Sequence, residues 1–416
     1  MTASTRRRQV IQTIGSIGVV GVAGCLGDDS ADDAGADGAS VAPDDDNGDT
    51  DDAPAQEPDI GMVYAFAPNS ISVIDPDTGD ILTEITDGLN DESWGDPQIT
   101  NDYGKIFINR QSPSQVLVLD TSTHELIDEV DIGPGPVHIY HPSDEEIWSH
   151  ADDEGALYVI DADTHEVSHV VESGLDGEGH GKLLYHEDFD ETGYATNVND
   201  PGLPVIDLDG YERTDFIEFG EEGGTHYKAY GPQNGLIYGE FGDVTPAVDA
   251  ETHDLVDELA FSGGMYLTPD EQLMGVLDGD TIRFVDVTDR DHDIVDTVEV
   301  EGGPDALRYH DAENGATYAV TANTRSDQAS VIDLDTFEVV NQIEVGHIFR
   351  PEGAPFLHRS GVAADGLFVT PAAEDGFVAL VDMGRQELID HIDVDEGVDT
   401  VQIVGDSGTG YTGNVR

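Results

Sequence analysis

Three histidines recur at equivalent positions in three successive repeats of this sequence. His138 follows Gly-Pro-Val, His180 follows Gly-Glu-Gly and His226 follows Gly-Gly-Thr. Because a repeat architecture places equivalent positions around one axis, imidazoles that are distant in the chain can meet. Imidazole clusters bind Zn, Cu, Ni or Fe, whereas hard cations recruit oxygen ligands. The recurrence therefore predicts a transition-metal site.

The element that must position these histidines repeats at intervals of about 40 residues from Met62 onward. In each copy, a strand with alternating apolar residues ends in Asp and continues through a polar turn into a second alternating strand. This pattern predicts β-hairpins, and no stretch shows a sustained helical period. The clear copies end at Asp75, Asp120, Asp161 and Asp333, and the weaker copies end at Asp207, Asp249, Asp286 and Asp382.

Eight copies predict an all-β fold, a β-propeller of about eight four-stranded blades over residues 58–416. The first copy lacks an inner strand before Met62, and the last segment, residues 400–404, lacks an outer pair. We therefore expect the N-terminal and C-terminal strands to pair in one composite blade. Seven blades remain an alternative if one weak copy is a decorated loop.

The first strand of each propeller blade lines the central channel, so the residues that open these strands meet at one mouth. We expect His138, His180 and His226, from adjacent blades, to share one ion in a tetrahedral shell with Zn–N bonds of about 2.0–2.1 Å. The fourth ligand is predicted to be Asp305, Asp399, a residue further along a strand, or water. The alternative is a set of hydrogen-bonded channel histidines without a metal. Aligned on the preceding glycine, the opening residues are Gln98, His138, His180, His226, Tyr266, Asp305, Phe356 and Asp399.

Other histidines are expected to lie outside this site. His124, His165 and His253 occupy Thr-His-Glu or Thr-His-Asp turns, which predicts exposed and inert side chains. His141 lies three positions after His138, so in a strand it points to the opposite face.

The chain of 416 residues carries 89 acidic and 16 basic side chains, a formal net charge of -73. Such charge repels itself strongly at ordinary ionic strength, and concentrated salt screens the repulsion. The composition indicates a protein adapted to brine, from a halophile. It also argues against nucleic acid as a partner, because a phosphate backbone requires a basic face.

The N-terminal segment has the features of an export signal. Consecutive arginines at positions 6–8 precede a short apolar stretch, which resembles a twin-arginine signal. The sequence Val-Ala-Gly-Cys that ends at Cys25, the only cysteine, resembles a lipobox. We predict a signal peptide over residues 1–25, lipidation of Cys25 and an acidic disordered tether over residues 26–57. The protein would then be exported and anchored by its lipid alone at the outer face of the cytoplasmic membrane.

Residues 60–416 resemble YVTN-type propellers. More specifically, Pro136-Val137-His138, Gly179-His180-Gly181 and Thr225-His226 resemble the histidine-bearing blades of the AztD-type periplasmic zinc metallochaperones. Asn197 and Asn199 downstream of His180, and residues 359–370, add to this resemblance. It implies a propeller that binds zinc through His138, His180 and His226 and delivers it to the solute-binding protein of an ABC importer. We expect a monomer.

The sequence does not favour an enzyme. It contains no Cys-x-x-Cys-His haem attachment and no Gly-x-Ser-x-Gly nucleophile turn. We therefore predict a non-catalytic protein. The alternative to a metallochaperone is a cell-surface propeller whose blade loops bind a protein or a glycan.

Overall fold

The computed structural model describes residues 58–405 except Asp176, Glu313 and residues 349–358. The predicted signal peptide, Cys25, the acidic tether and Phe356 lie outside the described residues. Within the described part, the chain forms eight four-stranded antiparallel sheets. This confirms the predicted all-β propeller and its eight blades.

Blade 1 combines both ends of the described chain. Its strands are β1 (Val63–Ala67), β2 (Ser70–Asp75), β3 (Asp80–Ile85) and, innermost, β32 (Thr400–Ile403). Antiparallel pairing of β1 with β32 sets Val63 opposite Ile403 and Phe66 opposite Thr400. The composite blade expected from the sequence is therefore present.

Each remaining blade contains four consecutive strands, numbered from the inner strand to the outer strand. Blade 2 contains β4 (Trp94–Ile99), β5 (Lys105–Arg110), β6 (Gln115–Asp120) and β7 (Glu125–Asp131). Blade 3 contains β8 (Pro136–Ser143), β9 (Glu146–Ala151), β10 (Ala156–Asp161) and β11 (Val167–Glu172). Blade 4 contains β12 (Leu183–Leu184), β13 (Thr192–Ala195), β14 (Gly202–Asp207) and β15 (Glu212–Glu218), with a short 3₁₀ helix, Glu187–Phe189, after β12.

The second half of the ring follows the same order. Blade 5 contains β16 (Lys228–Gly231), β17 (Leu236–Gly239), β18 (Thr245–Asp249) and β19 (Leu255–Leu259). Blade 6 contains β20 (Gly264–Leu267), β21 (Leu273–Asp278), β22 (Thr281–Asp286) and β23 (Ile294–Glu299). Blade 7 contains β24 (Pro304–Asp311), β25 (Thr317–Asn323), β26 (Gln328–Asp333) and β27 (Glu338–Glu344). Blade 8 contains β28 (Val362–Ala364), β29 (Leu367–Ala372), β30 (Phe377–Asp382) and β31 (Glu387–Asp393).

The Asp that ends the third strand of each blade organises the following turn. In blade 2, the Asp120 carboxylate accepts the backbone N–H groups of Ser122 and Thr123. Where the third strand pairs with the outer strand, a β-bulge shifts the register, because two residues of the outer strand lie opposite one residue of the third strand. This bulge recurs in all eight blades. The local hydrogen bonds of Asp and the bulge together set the repeat.

Apolar residues pack between neighbouring blades rather than in one central mass. Eight clusters of buried residues each combine side chains from two adjacent blades. One of them joins blade 8 to blade 1 through residues such as Leu380 and Val401. Because every neighbouring pair has its own core, the ring is closed and the inner strands are held around the axis.

The turn histidines are not exposed, which corrects the sequence-based expectation. His124, His165 and His253 adopt φ angles of 59°, 60° and 61°. This left-handed conformation directs each side chain onto the preceding blade. The His124 ring lies 2.8 Å from the Tyr64 hydroxyl, His165 lies 2.9 Å from Asp128, and His253 lies 3.1 Å from the Tyr194 hydroxyl. These histidines join adjacent blades.

No helix among the described residues has the length and apolar character needed to cross a membrane.

Candidate metal centre

Three consecutive inner strands bring the recurring histidines together. His138 lies in β8 of blade 3, His180 lies in the segment before β12 of blade 4, and His226 lies two residues before β16 of blade 5. Their potential ligand atoms all lie within 4.8 Å of one another. The ring centroids of His180 are 4.6 Å from His138 and 4.8 Å from His226.

These separations fit a shared metal ion. Two nitrogens bound to one tetrahedral zinc at about 2.0–2.1 Å are separated by about 3.3 Å. The Nε2 atoms of His138 and His180 are 3.1 Å apart. All three ligand atoms lie within 4.8 Å of one another. To bind one zinc ion, each pair of nitrogens must therefore come closer by at most about 1.5 Å.

Each of the three imidazoles has a carboxylate behind its Nδ1 atom. His138 Nδ1 lies 2.7 Å from Asp96 Oδ2, and His180 Nδ1 lies 2.6 Å from Asp152 Oδ2. His226 Nδ1 lies 3.9 Å from Glu240 Oε2. In metal sites, a carboxylate hydrogen-bonded to Nδ1, as for His138 and His180, fixes the ring orientation, leaves Nε2 as the ligand atom and raises its basicity. The separation between His226 and Glu240 is too long for a direct hydrogen bond.

Asp152 serves two histidines at once. Its Oδ2 accepts from His180, and its Oδ1 accepts from Nδ1 of His150 at 2.8 Å. His150 is fully buried, and its Nε2 lies 2.9 Å from the Ser173 hydroxyl. Burial alone would raise the pKa of Asp152, but the two histidine hydrogen bonds lower it below the usual value. The carboxylate therefore stays ionised and holds the His180 ring in place.

Glu240 differs from Asp152 in its electrostatics. Burial raises the pKa of Glu240, and this effect outweighs the hydrogen bond from the backbone N–H of Tyr227 and the attraction of Lys182. The carboxylate behind His226 is therefore the more readily protonated of these two partners.

Small residues allow the segment that carries His180 to lie against blade 4. A Cβ atom on Gly181 would lie 2.1 Å from the Thr196 carbonyl oxygen, and one on Gly179 would lie 1.8 Å from Asn197 Oδ1. The amide of Asn199 donates to the carbonyl of Glu178, and the Val198 N–H donates to the carbonyl of His180. The two asparagines noted in the sequence thus lie beside the His180 segment and support it.

A group of basic and aromatic side chains lies next to the histidines. Lys182 and Lys228 are buried, with exposures of 3% and 4%. Burial lowers the pKa of both lysines, and for Lys228 the charge of Lys182 lowers it further. The Lys182 ammonium lies 5.0 Å from the centre of the Tyr227 ring.

The two aspartates predicted as fourth ligands lie outside the histidine group, and their role as ligands stays a prediction. Asp305, in β24, is buried, and its carboxylate accepts the backbone N–H groups of Ala306 and Arg359. Asp399 precedes β32 and is exposed to solvent. His141 also lies outside the group, with Nδ1 2.9 Å from the Glu146 carbonyl oxygen.

Sequence reasoning missed the three carboxylates that lie on the Nδ1 side of the histidines. One signal existed for two of them, because Asp152 and Glu240 each follow directly after the second strand of a blade, β9 and β17. Asp96 lies inside β4, two residues before Gln98. No pattern distinguished Asp96 among 89 acidic residues.

The site is buried on one side and open on the other. The side chain of His138 is 2% exposed, that of His226 is 16% exposed and that of His180 is 30% exposed. An ion held by all three would therefore meet solvent beside His180.

Comparisons with known proteins support the fold. No family model matches the chain, and no curated protein matches it. Among solved structures, the dihydro-heme d1 dehydrogenase NirN in complex with DHE is similar with a TM-score of 0.66 and 13% identity, over 83% of this chain and 76% of NirN. AztD from Citrobacter koseri is similar with a TM-score of 0.62 and 14% identity, over 85% of this chain and 98% of AztD, and its apo form gives 0.61 and 14% over 83% and 98%. At these identities, the chain shares a propeller fold with both proteins.

Proposed function

We propose that this protein is a non-catalytic, extracytoplasmic metallochaperone that binds zinc at His138, His180 and His226. The observation that carries the proposal is the convergence of three imidazoles within 4.8 Å, each with a carboxylate on its Nδ1 side. Zinc binds imidazole nitrogen readily, and a shell of three histidines leaves one position for water or a further ligand.

The carboxylates favour a metal over a purely structural role. Asp96 and Asp152 both bind Nδ1, so the two Nε2 atoms, the ligand atoms that a metal ion would use, face each other at 3.1 Å. Two Nε2 atoms at this distance share at most one proton. A cation between them would satisfy both lone pairs.

The gradient of exposure supports delivery as well as binding. His180 lies at the open side of the site, so a receiving protein could approach the ion there and replace the ligands one at a time. The sequence resemblance to AztD-type metallochaperones supports the solute-binding protein of a metal ABC importer as the receiver. We further propose export of a monomer, with a lipid on Cys25 holding it at the outer face of the cytoplasmic membrane.

The test is zinc analysis of the protein in concentrated salt, followed by titration against a chelator of known affinity. We expect one zinc per chain, and at least a hundredfold weaker affinity in His180→Ala, because two imidazoles make an incomplete shell. His169→Ala is the matched control, since His169 is an exposed histidine in β11 that stacks on Tyr211.

The competing function is a surface propeller that binds a protein or a glycan through its blade loops. It predicts no stoichiometric zinc, or zinc that persists after all three histidines are replaced by alanine. Either result would refute the metallochaperone.

A further inference from the structure

A chain of hydrogen bonds continues from the candidate metal centre into the interior of blade 3. His180 Nδ1 lies 2.6 Å from Asp152 Oδ2, and Asp152 Oδ1 lies 2.8 Å from His150 Nδ1. The other ring nitrogen of His150, Nε2, lies 2.9 Å from the Ser173 hydroxyl. His150 and Ser173 are both fully buried. Two polar residues that water does not reach are therefore linked to the most exposed histidine of the site.

The direction of these hydrogen bonds follows from the groups around the Ser173 hydroxyl. Its oxygen lies 2.8 Å from the Gly155 carbonyl oxygen and 2.9 Å from His150 Nε2, and it has one proton to donate. The Gly155 carbonyl also accepts the backbone N–H groups of Ser173 and Gly174, at 2.9 Å and 3.0 Å. These two donors occupy both lone pairs of the carbonyl oxygen. The hydroxyl proton is therefore available to His150 Nε2.

This direction determines where the His150 ring carries its proton. A ring that accepts a hydrogen bond at Nε2 has its proton on Nδ1, where it donates to the Asp152 carboxylate. The opposite tautomer would set the Nδ1 lone pair against that carboxylate at 2.8 Å, with no proton between two acceptors. A doubly protonated ring would turn the hydroxyl back to the Gly155 carbonyl as a third donor. The neutral ring with its proton on Nδ1 satisfies every group.

Asp152 depends on the contact with His150 because of its place in the fold. It is the residue directly after β9, and its carboxylate bonds to His150 through one oxygen and to His180 through the other. Without the N–H of His150, one oxygen loses its partner and the side chain gains freedom to change rotamer. The carboxylate then holds His180 less firmly, and the proton of His180 is free to move from Nδ1 to Nε2, the ligand atom.

We propose that Ser173 and His150 are positioning residues of the metal centre. The Ser173 hydroxyl fixes the proton of His150 on Nδ1, and this N–H orients the Asp152 carboxylate. The carboxylate in turn keeps the proton of His180 on Nδ1 and leaves the Nε2 lone pair free for the metal. The effect on zinc rests on the proposed function, because the histidines must hold the ion. The side chain of His180 is 30% exposed, so the ligand nearest to solvent is held from the buried side.

Substitutions at residue 150 separate the N–H group from the rest of the ring. His150→Leu removes the donor, whereas His150→Asn retains an amide N–H close to the position of Nδ1. His292→Leu is the matched control, because His292 is a buried histidine of blade 6 with the same kinds of partner. Its Nδ1 lies 2.9 Å from Asp257 Oδ2, and its Nε2 lies 3.1 Å from the Tyr238 hydroxyl.

Two measurements are made on the full chain in concentrated salt. Zinc affinity is obtained by competition with a chelator. The tautomer of each histidine is read from the nitrogen chemical shifts of isotope-labelled, zinc-free protein at about pH 8, where an ordinary imidazole is neutral. The signals of His180 and His150 are assigned by their loss in His180→Ala and His150→Asn.

We expect His150→Leu to bind zinc roughly tenfold more weakly, the low end of the loss for an outer-shell partner, and to shift the proton of His180 toward Nε2. His150→Asn should keep the wild-type tautomer of His180 and bind zinc more tightly than His150→Leu. His292→Leu should change neither measurement, although it also removes a buried hydrogen-bonded ring. If His150→Leu keeps the zinc affinity and the His180 tautomer of the wild type, His150 acts only in packing and the proposal is overturned.

Ser173→Ala tests the first bond of the chain, and it decides the matter if His150→Leu does not fold, as judged by circular dichroism. It removes one hydroxyl oxygen and keeps the backbone N–H that bonds to Gly155. We expect His150 to change from a fixed Nδ1–H tautomer to a mixture of tautomers. Zinc affinity should fall about twofold to tenfold, the range of one neutral hydrogen bond. A His150 tautomer that does not respond to this substitution would overturn the proposal.

Failure of the two proposals is distinguishable. Zinc that does not bind the wild type refutes the proposed function. The tautomers of His150 and His180 are measured without zinc, so they decide the positioning roles of Ser173 and His150 separately.

Discussion

Replacing Asp152 by asparagine removes the carboxylate that orients His180 without changing a metal ligand. The carboxylate accepts one N–H on each oxygen, from His150 at 2.8 Å and from His180 at 2.6 Å. Asparagine has a single acceptor oxygen, so its NH₂ group must face one of the two histidines. As a result, the ring of His150 or His180 turns away from residue 152, or the proton of His180 moves from Nδ1 to Nε2.

The expected loss of zinc affinity depends on how much the Asp152–His180 hydrogen bond strengthens when the metal binds. A hydrogen bond to a charged group contributes about 1.5–3 kcal/mol, but the Asp152–His180 bond is already present without metal. Loss of an outer-shell partner of this kind weakens metal affinity by about 10–100-fold, or about 1.4–2.7 kcal/mol. Competition with a fluorescent zinc chelator in concentrated salt measures this difference.

Asp153→Asn is the matched control, because Asp153 is the exposed neighbour and its substitution removes the same charge. We expect the control to keep the wild-type zinc affinity. If Asp152→Asn and Asp153→Asn bind zinc equally tightly, the carboxylate does not act on the site and the reasoning is refuted.

Four further predictions concern the site and the fold. Gly181→Ala should weaken zinc binding by about tenfold or more, because its Cβ would lie 2.1 Å from the Thr196 carbonyl and displace His180. Gly384→Ala in blade 8, where the nearest atoms to a Cβ are side-chain atoms at 3.4 Å, should leave the titration unchanged. Trp148→Ala should lower the free energy of unfolding by about 3–5 kcal/mol in denaturant melts, since Trp148 is fully buried between blades 3 and 4; a loss below about 1 kcal/mol would contradict the packing. A hydrogen bond from His292 lowers the pKa of Asp257. This contact therefore stabilises the folded protein above about pH 4, the pKa of Asp in the unfolded chain, and the stabilisation is lost as the pH falls through the lower pKa of the folded state. The free energies of unfolding of wild type and Asp257→Asn should converge in strong acid, with Asp254→Asn as the control. The net charge of -73 predicts a melting temperature that rises from dilute to multimolar salt, and a temperature independent of salt would contradict it.

The fold could be predicted because the information is local and repeated. An Asp that caps its own turn, followed by a bulge, recurs in every blade, and even in the weak copy ending at Asp286 the carboxylate accepts the backbone N–H of Thr288. The composite blade was also predictable, since each end of the propeller lacked the strands that the other end supplied.

The histidine cluster could be predicted from its spacing within the repeat, whereas its carboxylates could not. His138, His180 and His226 occupy equivalent positions, but Asp96 comes from an inner strand and Asp152 from a loop after a second strand. Their convergence depends on how adjacent blades pack. The direction of side chains in turns could not be predicted from the sequence either. At His124, a positive φ directs the ring onto the neighbouring blade and not into solvent.

The most direct test of the central claim is X-ray absorption at the zinc edge of the loaded protein. The account predicts a four-coordinate ion with three imidazole nitrogens at about 2.0–2.1 Å and one further light atom, and the loss of this signal in the triple His138, His180, His226→Ala variant. A shell of oxygen atoms only, or an unchanged spectrum in the triple variant, would contradict it.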